Sequence, residues 1–119
     1  MRAFSLGLVA ILAAGCTESA FGSDTAYRRL VDRYDSEAAC LAGGLDACYQ
    51  TINFCADGHA TLDLESRPLR GTYQLDGDVA RAEMTAMRFD FDLETLSAAQ
   101  LPGRRRWEQV TPLTYDCVP

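Results

Sequence analysis

The chain has 119 residues, 48% of them apolar and 24% charged, which gives room for one small domain and excludes a multidomain enzyme. Eleven basic residues, all Arg, stand against seventeen acidic ones for a net charge of -6, an excess of acid that excludes a general nucleic-acid binder. With 9 Gly and 4 Pro the composition lies far from low complexity, so the chain is expected to fold.

The first element is a leader. Arg2 supplies the positive start and Ala3 to Ala14 an apolar run too short to span a bilayer as a helix, so residues 1–15 read as a signal peptide. Its end, Ala13-Ala14-Gly15-Cys16 after Leu12, resembles the lipobox of bacterial lipoproteins. That resemblance implies cleavage before Cys16, acylation of its thiol, and membrane attachment through the lipid. Thr17 rather than Asp follows the Cys, which in such lipoproteins implies the outer membrane, facing the periplasm. The alternative is an ordinary cut further on, such as after Gly22. Loss of the leader leaves ten Arg against seventeen acidic residues, a mature charge of -7. Residues 16–23 then form a lipid-anchored tether, of which Thr17 to Ser23 reach about 25 Å when extended.

One globular domain follows over residues 24–119. Tyr27, Leu30, Val31, Tyr34 and Ala38 recur at helical spacing, with charges between them, and predict an amphipathic helix over 24–42. Ser23 or Asp24 supplies its cap, Asp35 or Ser36 is able to recap a second short helix, and Gly43-Gly44 end it. The periodicity then changes to two, and residues 49–117 read as an antiparallel β meander. Strands are expected at 49–56, 59–65, 71–75, 79–84, 88–94 and about 105–111, with Asp57-Gly58 and Asp76-Gly77-Asp78 as tight turns. The fold class is therefore α+β, mainly β: an N-terminal helix followed by six strands in a sheet or small barrel, stapled by disulfides. Phe54-Cys55-Ala56-Asp57-Gly58 and Gly71-Thr72-Tyr73-Gln74-Leu75-Asp76-Gly77-Asp78 resemble the hairpins of small lipocalin-like lipoprotein domains. The chain departs from that pattern in having its single Trp late, at Trp107, rather than in an early Gly-x-Trp strand.

Five Cys is an odd count for an exported chain. Acylation of Cys16 leaves Cys40, Cys48, Cys55 and Cys117, which an oxidising compartment pairs into two disulfides. Of the three pairings, Cys40 with Cys48 and Cys55 with Cys117 is favoured, because the first closes a short glycine-containing loop and the second ties the first predicted strand to the chain end. No two Cys have the two-residue spacing of a zinc knuckle or a redox motif, so neither metal nor cofactor is expected.

The remaining side chains offer little chemistry. His59 is the single histidine, on the polar side of a hairpin, and no Gly-x-Ser-x-Gly elbow accompanies it. Asp63, Glu65, Asp90, Asp92 and Glu94 read as solvated acidic rungs, and Asp76-Gly77-Asp78 is too short for an EF-hand loop. Arg104-Arg105-Arg106 beside Trp107 is a candidate contact for an anionic surface, although pairing with the acidic rungs of a neighbouring strand is favoured. Phe89, Phe91, Tyr73, Leu62 and Leu64 are expected to make the core rather than line a ligand cavity. These features point to a non-enzymatic envelope lipoprotein acting as a binding or interaction module for a protein partner or small ligand. The alternatives are an inhibitor of a cationic hydrolase such as lysozyme, favoured by opposite charge, and a carrier of a small apolar ligand.

Overall fold

The computed structural model describes residues 19–44, 47–64, 68–112 and 117. The leader, Cys16 and Glu65 lie outside them. Seven antiparallel strands run in the order β6-β5-β4-β3-β2-β1-β7: β1 (Thr25–Leu30), β2 (Tyr49–Phe54), β3 (His59–Asp63), β4 (Pro68–Asp76), β5 (Val79–Met84), β6 (Arg88–Asp92) and β7 (Glu108–Val110). The first six are a meander, and β7 returns to pair with β1.

The mainly β class holds, but the helix expected over 24–42 does not form. Residues 25–30 are a strand between β2 and β7, and only α1 (Glu37–Ala42) is helical. In β1 and just beyond it, Thr25, Tyr27, Arg29 and Val31 are buried at a period of two, and Ala26 is buried beside them. A charged residue at the third inward position hides that alternation, while Tyr27, Leu30, Val31 and Tyr34 also satisfy a helical spacing. The sheet accordingly has seven strands instead of six. The recapping expected near Asp35-Ser36 does occur: Ser36 Oγ accepts the Ala39 N–H at 3.1 Å, and Glu37 adds an acid in the first turn. Gly44 follows with φ +84°.

Both favoured disulfides are present. Cys40–Cys48 joins α1 to the start of β2, and Cys55–Cys117 spans 62 residues of sequence. Alternation places Ile52, Phe54, Leu62, Tyr73, Phe89 and Phe91 inside, each at most 4% exposed. Tyr27 of β1 meets Phe91 of β6 with ring centroids 4.7 Å apart, although four strands separate them in the sheet. The sheet is therefore curled into a half-barrel around one core. Trp107, contacting Phe91, fills the gap between the sheet edges, and its backbone N–H donates to the Leu96 carbonyl.

The tether expected over 16–23 is docked from Ser19 onward. β4 runs past the β2–β3 hairpin, and its free Leu75 N–H donates to the Ser19 carbonyl at 2.9 Å. The Phe21 N–H donates to the Tyr73 hydroxyl at 3.0 Å, and its ring packs on Phe54 and Tyr73. Tyr73 in turn donates to the Cys55 carbonyl at 2.7 Å.

Candidate functional site

A groove of about 340 Å³ opens on the outer face of β4, β5 and β6, and the alternation that buries Tyr73, Ala82 and Phe89 builds it by turning polar neighbours outward. Thr72 and Gln74 of β4, Arg81 and Glu83 of β5, and Arg88 and Asp90 of β6 line it. An adjoining recess carries Arg70, Thr85 and Met87. At Gly71 a Cβ would strike the Glu83 carbonyl, so glycine lets β4 and β5 approach closely beneath the junction of the two recesses.

The lining charges are mixed and largely self-paired. Arg81 bonds Asp76 at 3.1 Å and Asp90 at 3.4 Å, while Arg88 lies 3.8 Å from Glu83. All are well exposed, so the pairs contribute little to stability but fix a pattern of alternating sign. Such a face presents charged and polar groups of both signs side by side. Of the charged lining residues the sequence reading singles out only Asp90, as one of the solvated acidic rungs. The signal available was the cross-strand alternation of Arg81, Glu83, Arg88 and Asp90 around one hairpin.

The acidic rungs are dispersed among other partners. Asp90 belongs to Arg81, whereas Asp92 turns back to accept the Glu94 and Thr95 N–H groups at 2.8 and 3.0 Å. Those two N–H bonds hold the Asp92 carboxyl below the usual carboxylate range. His59 is exposed, its Nδ1 lying 3.1 Å from Asp57 Oδ2 across their own turn. The His59 backbone N–H, followed by its side chain, lowers the Asp57 carboxyl in the same way.

Arg104 and Arg105 do not meet the acidic strands either. Arg104 donates to the Asp32 and Tyr34 carbonyls and the Asp35 carboxylate, and Arg105 to the Val31 and Tyr34 carbonyls. They clasp the connection between β1 and α1, while Arg106 is exposed. Trp107, beside them in the less favoured candidate for an anionic-surface contact, is 1% exposed and belongs to the core. Arg29 stacks on its ring at 4.5 Å, and donates to Gln50 Oε1 and to the Leu101 and Pro102 carbonyls. Burial lowers the Arg29 pKa, but three such acceptors offset much of the desolvation cost.

Asp24 gathers with the sulfurs of Cys55 and Cys117, but those sulfurs are bonded to each other and the Asp24 carboxylate accepts the Ala56 N–H at 2.8 Å. A disulfide lacks the thiolate that a metal requires, so this cluster does not fit an ion. Among the described residues no helix is long and apolar enough to cross a membrane. No family model, curated protein or solved structure matches the chain.

Proposed function

We propose that this chain is an envelope lipoprotein, acylated at Cys16 and facing the periplasm from the outer membrane, whose half-barrel presents the β4–β6 groove to a protein partner without catalysis of its own. The docking of Ser19 and Phe21 on β4 carries this reading. A cut after Gly22 would remove the ring that packs on Phe54 and Tyr73 and would expose the Leu75 N–H. A cut before Cys16 keeps both. The paired Cys40, Cys48, Cys55 and Cys117 support export and leave Cys16 as the thiol for the lipid. The interior supports surface recognition over carriage, because Phe54, Phe89, Phe91, Ile52 and Leu62 fill it with less than 2% exposure each.

Two measurements on protein in its host test the reading. The intact mass of membrane-extracted protein is expected to correspond to a chain beginning at an acylated Cys16 with both disulfides formed. An unacylated chain beginning after Cys16 would overturn the anchor. A photo-crosslinker at Gln74 is expected to give one discrete protein adduct that Arg88→Glu abolishes, and an adduct pattern indifferent to that charge reversal would remove the groove from the proposal.

A further inference from the structure

The two ends of the half-barrel carry different things. One end holds the Asp57-Gly58 and Asp76-Gly77-Asp78 turns together with the docked Ser19–Phe21 segment. The other holds α1, the β5–β6 turn around Ala86, and the Arg104–Arg105 clasp on Asp32 and Tyr34. Ser19 bonds Leu75, one residue from Asp76, so the chain enters the domain at the first end. Cys16 precedes Ser19 by three residues, a covalent reach of about 11 Å. From Leu75 back to Arg70, which lines the second recess, β4 extends about 17 Å.

We propose that Ser19–Phe21 turns the lipid anchor into a mount of fixed direction: the Asp76–Asp78 end faces the lipid surface, and the Ala86 end points away, carrying the Arg70 and Met87 recess toward the periplasm. This rests on the reading of Cys16 as acylated. The docked segment sets the direction because a free tether of seven residues would let the domain tumble, whereas one anchored at Ser19 restricts it. Charge does not set it. Asp76 and Asp78 are repelled by anionic headgroups, and the Arg104–Arg105 loop lies at the distal end and is already engaged. The lipid-facing end is therefore held by covalent reach, and the outer-face groove stays open to a partner that approaches from the periplasm.

The test uses the full lipidated protein in phosphatidylcholine vesicles that carry a headgroup quencher. A fluorophore is placed through an unnatural amino acid at Asp78 or at Ala86, both exposed, so that no new thiol competes with the disulfides. The Asp78 label is expected to be quenched severalfold more strongly than the Ala86 label. A flexible Gly-Ser insertion between Glu18 and Ser19 leaves the docked residues in place and is expected to bring the two signals together. Equal quenching in acylated protein without the insertion overturns the fixed mount while leaving the anchor standing. Intact mass of the same sample separates the two failures, since an unacylated chain overturns the anchor reading and the orientation with it.

Discussion

Gly103 lies against the Arg29 guanidinium so closely that a methyl group at position 103 would meet Arg29 Cζ and Nη1 at 2.7 Å. The flanking Leu101 and Pro102 carbonyls are the acceptors for that same guanidinium, so the loop must come this near to satisfy the buried charge. Gly103→Ala is expected to lower the unfolding free energy by about 1–3 kcal/mol, as overpacking does in a close-packed interior. Urea denaturation measures it. In the Arg29→Met background the same Ala is expected to cost less, because the shorter apolar chain yields; strict additivity of the two substitutions would contradict the contact.

Tyr73 is a second junction, accepting the Phe21 N–H and donating to the carbonyl of the disulfide-bonded Cys55. Tyr73→Phe keeps the ring contacts with Phe21 and Phe54 but leaves a buried carbonyl and an N–H without their partner. The expected loss is about 1–3 kcal/mol, with faster hydrogen exchange at Phe21 and Leu75. A loss of stability with unchanged exchange at these two amides would mean that the hydroxyl does not hold the N-terminal segment.

The β2–β6 meander is legible in the sequence because Ala60, Leu62 and Phe89, Phe91 alternate with polar residues, and Gly58 and Gly77 supply φ of +94° and +62° at the turns. β1 is not, since its inward Arg29 mimics an outward charge until Trp107 and the Leu101–Pro102 carbonyls are known to surround it. Trp107 itself follows three Arg, which locally resembles an interface; its burial comes from closing the gap between distant strands. Ser19 to Ser23 contain one apolar ring, too little for any periodicity, and only the overhang of β4 gives Phe21 a place. The short-range features are thus readable from residue order, whereas groups recruited by sheet curvature are not. The outer groove shares that limit, because its polar lining side chains come together only through the β4–β5–β6 register.

Acid should loosen the turn after β6. With its pKa depressed in the fold by the Thr95 and Glu94 N–H groups, ionised Asp92 contributes stability that is fully present above its unfolded value, about pH 4. That contribution is lost as pH falls through the lower folded value. Asp57 acts with the same sign through the His59 N–H and imidazole. Unfolding free energy followed by urea titration from about pH 6 to about pH 2 is expected to fall more steeply in the parent than in Asp92→Asn. Parallel curves would show that the Asp92 carboxylate does not couple to folding.

The two disulfides should differ in worth. Cys55–Cys117 closes a separation of 62 residues and Cys40–Cys48 one of 8, so chain entropy assigns them about 4 and about 2.5 kcal/mol. Replacing both members of a pair by Ala avoids a stray thiol, and equilibrium denaturation then compares the variants. The ordering is sharpened by what each bridge holds. Cys40 and Cys48 pack with Val31, Tyr34 and Tyr49 in a small cluster under α1, whose loss leaves the main core intact. Cys55 follows β2, and its carbonyl accepts from the same Tyr73 hydroxyl that receives the Phe21 N–H, so loss of its disulfide bears on the end of the half-barrel where Phe21 docks. Removal of Cys55–Cys117 is therefore expected to cost more than removal of Cys40–Cys48 and to raise hydrogen exchange at Phe21, while removal of Cys40–Cys48 should raise it near α1. The reverse order would mean that the α1 cluster, not the Phe21–Tyr73 end, limits the stability of the half-barrel.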